Sequence, residues 1–231
     1  MTHAIIVAAG AGKRAGGTLK KQFASIAGEI VLIQTLAVFQ ASVFIDTIVC
    51  VIAKCDQAHF EDLIKRHPIS KIKGVVEGGS SRQDSTAAGL FFLERHYHQT
   101  DFVVIHDGAR PFVTTKLIER VIKAASLSCG AIAAMPMTDT LKQVSPRGEI
   151  MRSLSRDEIW GAQTPQVFPL GLLSDAIRNA KAECFVGTDE AALFERMGYP
   201  VLCVEGEIDN IKITTASDFN RAEKIARERL I

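Results

Sequence analysis

The sequence predicts an α/β fold, a Rossmann-like open and mostly parallel twisted sheet with helices on both faces, and two observations carry that prediction. Short apolar, β-rich runs alternate with amphipathic stretches through the first two-thirds of the chain, the pattern of successive βα units with right-handed crossovers. The first of these runs leads straight into a loop of small residues, Ala8-Ala9-Gly10-Ala11-Gly12, at the end of the sheet where such folds bind ligands. With 231 residues, 47% apolar and 23% charged, the chain suffices for one sizeable core, and residues 1–231 are expected to form a single domain.

Residues 4–8, 47–52, 74–77, 102–106 and 131–135 read as buried strands. Between them, Leu117, Ile118, Val121, Ile122 and Ala125 recur at helical spacing. So do Ala87, Leu90, Phe91 and Glu94, behind Ser81 with Asp84 three residues on, a helix start signal. Residues 136–156 break the rhythm: they are polar, lack a helical stripe and carry the turn signal Ser145-Pro146-Arg147-Gly148 in their middle. They read as a projecting β-hairpin arm, too poor in apolar residues to stand alone and expected to lie on another surface such as a second subunit's. A stretch at 160–168, helical patterns at 170–182 and 188–197, a strand at 201–204 and a closing helix at 217–230 complete the chain.

Lys plus Arg number 27 and Asp plus Glu 26, a net charge of +1. No global field then draws the chain to nucleic acid or to an anionic membrane, and any anion must be bound locally. No apolar run approaches the roughly 18 to 20 residues that span a bilayer. The N-terminus places its apolar run before its basic residues, the reverse of a secretory signal, and the mature chain is expected to begin here. Five cysteines, an odd number without a C-x-x-C pair, indicate neither a disulfide framework nor a zinc site, so the expected compartment is a reducing cytoplasm. Cys50 and Cys203 are expected in the core, His96 and His98 in solvent, and Trp160 in packing.

The first loop, Ala8-Ala9-Gly10-Ala11-Gly12-Lys13-Arg14-Ala15-Gly16-Gly17, has backbone amides that can approach an anion closely. Four cations, Lys13, Arg14, Lys20 and Lys21, precede the first carboxylate, Glu29, so phosphate is the expected guest. Gly10, Gly12 and Ala15 formally match the dinucleotide fingerprint, but Gly16-Gly17 follows at once where a helix should open, and the second strand leads into Ala53-Lys54 instead of the ribose-binding acid. A P-loop is excluded too, since Thr18 stands where its Lys would be.

That loop, followed by Lys21-Gln22-Phe23, resembles the signature of nucleotidyltransferases that activate sugar or polyol phosphates. Further blocks sharpen the likeness: Gly78-Gly79-Ser80-Ser81-Arg82-Gln83-Asp84-Ser85, His106-Asp107-Gly108-Ala109-Arg110-Pro111, Thr138-Asp139-Thr140-Leu141-Lys142, Thr164-Pro165-Gln166, Thr188-Asp189-Glu190 and Glu205-Gly206-Glu207-Ile208-Asp209-Asn210-Ile211-Lys212. In order and spacing they resemble the 2-C-methyl-D-erythritol 4-phosphate cytidylyltransferase family of non-mevalonate isoprenoid synthesis. The resemblance covers nearly the whole chain. It implies transfer of CMP from CTP to 2-C-methyl-D-erythritol 4-phosphate, giving 4-diphosphocytidyl-2-C-methyl-D-erythritol and pyrophosphate, with Mg2+. It also implies a homodimer whose arm, residues 136–156, reaches over the partner's site.

The site residues follow from the same resemblance. Arg14 and Lys21 would grip the triphosphate and stabilise charge on its α-phosphate, with Lys212 close by and Lys13 a weaker contributor; read alone, Lys212 is a solvated charge. Ala8, Ala9, Gly10, Gly12, Gly79, Ser80 and Ser85 match nucleotide-binding positions, although Ser81 equally caps a helix and Ser85 could face solvent in its first turn. Asp107 and Asp209 match acids that hold Mg2+ or the acceptor's hydroxyls. Arg110, Thr164 and Thr188, with Thr140 and Arg156 of the partner subunit, match acceptor-binding positions, and Thr188 is equally a helix N-cap. Val7 and Lys20 stand where relatives commonly have Pro, and Ser80 where they often have an acid.

A phosphomonoester is largely dianionic at neutral pH and needs no general base, in keeping with a sequence that shows no convincing Ser/His/Asp or Cys/His constellation. Three rival readings stand beside this one: a sister enzyme using ribitol 5-phosphate with CTP, a nicotinamide-dependent oxidoreductase, and a non-catalytic nucleotide sensor.

Overall fold

The computed structural model describes residues 1–10 and 20–229. Strand β1 (Thr2–Val7) is followed by a small hairpin, β2 (Ser25–Ile26) and β3 (Glu29–Ile30), an addition to the expected order. Its two-residue turn places Ala27 and Gly28 at φ +49° and +88°, the left-handed pair that tight hairpins require. Then come α1 (Val31–Ala41), β4 (Thr47–Ile52), α2 (Gln57–Arg66), β5 (Ile72–Glu77), α3 (Arg82–Glu94), β6 (Phe102–Asp107), α4 (Thr115–Ala124) and β7 (Gly130–Pro136). After the arm strands β8 (Leu141–Val144) and β9 (Ile150–Leu154) follow β10 (Trp160–Pro169), α5 (Leu170–Ala182), α6 (Glu190–Arg196), β11 (Val201–Glu205) and α7 (Ala216–Arg229).

Seven strands form one sheet in the order β11-β7-β10-β6-β1-β4-β5. Every pairing is parallel except those of β10, which runs antiparallel to both β6 and β7. Strand β4 is buried at all six positions, as a strand covered on both faces must be. Alternate side chains then serve different layers: Ala4, Ile6, Ile48 and Cys50 pack with Leu36, Phe39, Leu117 and Val121 of α1 and α4. Ile5, Val49 and Val51 pack with Leu90, Leu173 and Phe194 of α3, α5 and α6. The α/β architecture with helices on both faces is therefore as the sequence predicts.

The arm pairs β8 with β9 in a separate two-stranded sheet closed by the turn 145–148, with Gly148 at φ +83°. Val144, Ile150 and Met151 on it are exposed in the single chain. Cys203 does not join the core: it lies on the edge strand β11, where one sheet neighbour is missing, and is exposed, whereas Cys50 is fully buried. Trp160, at the start of β10, is 39% exposed. Among the described residues no helix is long and apolar enough to cross a membrane.

Candidate active site

Backbone bonds tie three loops together where the parallel strands end. Ala8 N donates to Val51 O, Gly78 N to Ile52 O and Gly108 N to Val7 O, each at 2.9 Å. Gly78 allows the closest approach, because a Cβ there would run into the Ala9 methyl. Gln22, 2% exposed, donates from Nε2 to Ala8 O (2.9 Å) and Gly10 O (3.1 Å) and so fixes the start of the first loop. The resulting cavity, about 400 Å³, is lined by Ala8, Ala9, Gly10, Lys21, Gly79, Ser80, Ser85, Arg82, Asp107 and Lys212 among others. Gly12, Lys13 and Arg14 lie outside the described residues. Lys20 is drawn aside to Asp56 at 2.6 Å.

On the flank over β1, β4 and β5 the lining is small and its hydroxyls are already engaged. Ser85, 3% exposed, does not face solvent. Its Oγ accepts from Gly79 N (3.1 Å) and donates to Ser81 O (2.9 Å), which shapes the 79–81 turn. Ser81 caps α3 in a full capping box with Asp84. Ser80 also donates to Asp84, at 2.6 Å, and these bonds hold the Asp84 carboxyl below its usual range.

The opposite flank, over β6 and β10, is built from charge. Asp107, 6% exposed, accepts from Arg82 Nε at 3.2 Å and from Lys212 Nζ at 2.8 Å, with Arg110 Nε at 3.6 Å. Burial pushes the Asp107 carboxyl up, but Arg82, Lys212 and Arg110 outweigh it and hold the group well below the usual carboxylate range. Lys212 is therefore not a solvated charge. Its loop is pinned to the sheet: Arg110 Nη1 donates to Asn210 O (2.7 Å), Asn210 Nδ2 to Gln163 Oε1 (3.0 Å) and Thr164 O (2.8 Å), and Ile213 N to Ala109 O (2.9 Å).

Beneath Asp107 lies a fully buried His106 whose tautomer the geometry assigns. Its Nε2 is 3.2 Å from Arg110 O, which can only accept, so Nε2 carries the hydrogen. Nδ1 then accepts from the Thr164 hydroxyl at 3.0 Å, and that oxygen accepts from Asp107 N at 3.2 Å. Burial pushes the His106 pKa down to about 3, so the ring stays neutral and the chain of bonds stays intact at ordinary pH.

The structure brings Ala8, Ala9, Gly10, Lys21, Gly79, Ser80, Ser85, Asp107 and Lys212 into one cavity lining. Arg110 and Thr164 join through Asp107. Thr188 is exposed, and the N-cap of α6 is the next residue, Asp189, which accepts from Ala192 N at 3.0 Å. Thr140 and Arg156 are exposed near the arm, where Arg156 Nη1 donates to Thr138 O.

Four further residues carry the site's shape, Gln22, Arg82, His106 and Glu190, and all stand inside the recognised blocks. Arg82 follows the Ser81 cap, in the first turn of α3, where helical side chains lean back toward the N-terminus and here toward the strand ends. Glu190 precedes Ala191-Ala192-Leu193-Phe194, an apolar context that signals burial.

Residues 2–228 match the sequence profile of 2-C-methyl-D-erythritol 4-phosphate cytidylyltransferases. The chain belongs to that family. A Geobacter metallireducens enzyme of that name is 42% identical over 229 residues, 98% of either chain, and one from Syntrophus aciditrophicus is 42% identical over 226 residues, 97% and 95% of the two chains. Among solved structures, the 4-diphosphocytidyl-2C-methyl-D-erythritol synthase of Anaerococcus prevotii superposes with a TM-score of 0.84 at 31% identity, covering 98% of this chain and 96% of that one. The 2-C-methyl-D-erythritol 4-phosphate cytidylyltransferase of Thermus thermophilus gives 0.76 at 31% identity, covering 98% and 100%. Membership makes this chain a cytidylyltransferase, a nucleotidyltransferase enzyme.

Proposed function

We propose that the chain transfers CMP from CTP to 2-C-methyl-D-erythritol 4-phosphate by in-line attack of the acceptor phosphate on the α-phosphorus, releasing pyrophosphate. One observation carries this reading: a small-residue cradle suited to a nucleotide and a cation-rich flank suited to the acceptor share one cavity, with Lys212 held in its lining by Asp107. Two anions must meet there, so the work is positioning and charge stabilisation. Arg14 and Lys21 grip the triphosphate, and Lys212 meets the charge that builds between acceptor and α-phosphate. Ala8, Ala9, Gly79 and Ser80 present backbone edges to the cytosine, in a turn that Ser85 shapes. Asp107 and Arg110 hold the acceptor, with Thr164 fixing the Asp107 backbone. Thr188, and Thr140 and Arg156 of the partner subunit in a homodimer, close over it.

The metal does not fit as a protein ligand set. Asp107 already answers to three cations, so a dication there would sit among like charges, and Asp209 does not line the cavity. No group of three or more His, Cys, Asp or Glu among the described residues could hold a metal. Asp107 and Asp209, expected to ligate Mg2+, therefore do not hold it; Mg2+ accompanies the triphosphate, as it commonly does.

Pyrophosphate release from the purified protein with CTP and Mg2+ tests the proposal, comparing methylerythritol 4-phosphate, ribitol 5-phosphate and no acceptor. Turnover with the first alone is expected, and it should be lost in Arg14→Ala. Turnover with ribitol 5-phosphate alone would overturn the acceptor assignment and leave the transfer chemistry standing.

A further inference from the structure

Glu190 is 1% exposed, and a buried carboxylate is expensive unless it is paired and fully hydrogen-bonded. Here it is: Arg82 Nη1 lies 2.7 Å from both its oxygens, and Thr86 Oγ1 donates to Oε1 at 2.8 Å. The same guanidinium reaches Asp107 through Nε. Arg82 thus spans two acids, one buried in the α6 end and one lining the cavity. Its remaining nitrogen, Nη2, makes no hydrogen bond among the described residues, and the side chain lines the cavity.

Electrostatics explains the arrangement. Three cations on Asp107 alone would repel one another, and Glu190 supplies the second negative charge that keeps Arg82 in place. Three positive and two negative charges leave one positive charge over, facing the flank where a phosphate must arrive. The planar fork suits this task better than an ammonium, because its five donors in a fixed plane bridge two separate carboxylates and still leave Nη2 for a third oxygen group.

We propose that Arg82 is an acceptor-binding residue, offering Nη2 to the phosphate or hydroxyl oxygens of the polyol phosphate, and that the buried Glu190 is its positioning residue. The inference rests on the function proposed above. A buried ion pair is by itself weak evidence for a stabilising role, and the readout must separate binding from folding. The test measures KM for methylerythritol 4-phosphate, the dissociation constant for CTP and the melting temperature in Arg82→Lys and Glu190→Gln. Arg82→Lys keeps the charge and loses the fork. The acceptor KM should rise about tenfold or more in it, and by a smaller factor in Glu190→Gln, with CTP affinity within twofold of wild type in both. If Glu190→Gln melts below the assay temperature, Arg82→Lys alone decides. An acceptor KM within twofold of wild type in Arg82→Lys would overturn the inference, as would CTP affinity falling in parallel with it. Failure of the underlying reading would show separately, as absence of turnover with this acceptor in the wild type.

Discussion

The two flanks of the cavity solve different problems with different materials. Over β1, β4 and β5 the lining is Ala8, Ala9, Gly10, Gly79, Ser80 and Ser85, where small side chains let backbone groups do the contacting. Over β6 and β10 it is Asp107, ringed by Arg82, Arg110 and Lys212 and braced from below by His106 and Thr164. A base edge is read by shape and hydrogen bonds and needs room. An acceptor dianion approaching a triphosphate needs positive charge held rigidly in a low-dielectric cleft. The first flank is specified by what its residues lack, and the second by pairings that join Asp107 to residues as distant in the chain as Arg82 and Lys212.

The largest effect should come from Lys21, the described cation proposed to grip the triphosphate. Lys21→Ala is expected to lower kcat by roughly 10² to 10³, the usual cost of losing one preorganised charge contact, with the fold intact by circular dichroism. A drop of less than tenfold would remove Lys21 from the chemistry. Next, Ser85→Ala leaves the Gly79 N–H without its acceptor and loosens the 79–81 turn. About 1 to 3 kcal/mol follows from an unpaired polar group of this kind. The KM for CTP should therefore rise about tenfold while the acceptor KM stays put. A rise in both would erase the distinction between the flanks.

That distinction also decides what could be read from sequence. Alternating apolar runs predict the sheet, and the glycine-rich blocks predict the nucleotide flank, because small residues in a row have few other uses. The antiparallel course of β10 was not legible, since residues 160–168 carry no signal for direction. Nor were the roles of Glu190 and His106: each stands at the border of an apolar run beside another acid, Asp189 or Asp107, and its partners appear only when α6, α3, β6 and β10 come together. Thr188 shows the same limit, for cap and ligand residues share one chemistry, and the cap proved to be Asp189.

A smaller effect concerns the bracing. His106 is pushed down to about 3 from an ordinary 6.5 by burial. Between those values the unfolded chain binds a proton that the folded chain refuses, so this contribution to stability is complete above pH 6.5 and is lost as pH falls through the window. His106→Asn should lessen the fall in unfolding free energy between pH 6 and 4.5 by about 1.4 kcal/mol per pH unit. Urea midpoints across that range check it, and an unchanged slope would show that the ring titrates normally. The smallest expected effect is nil: millimolar Mg2+ alone should leave the melting temperature of the nucleotide-free protein unchanged, because Asp107 faces three cations. A clear rise would restore a protein-held metal.

The separation of the two flanks is tested most directly by titrating CTP into Asp107→Asn in a calorimeter. Removing this carboxylate takes away the shared partner of Arg82, Arg110 and Lys212 and a negative charge close to the proposed triphosphate position. CTP should bind as tightly as to the wild type, or more tightly, in a protein that has lost turnover. CTP binding weakened tenfold or more would contradict that separation.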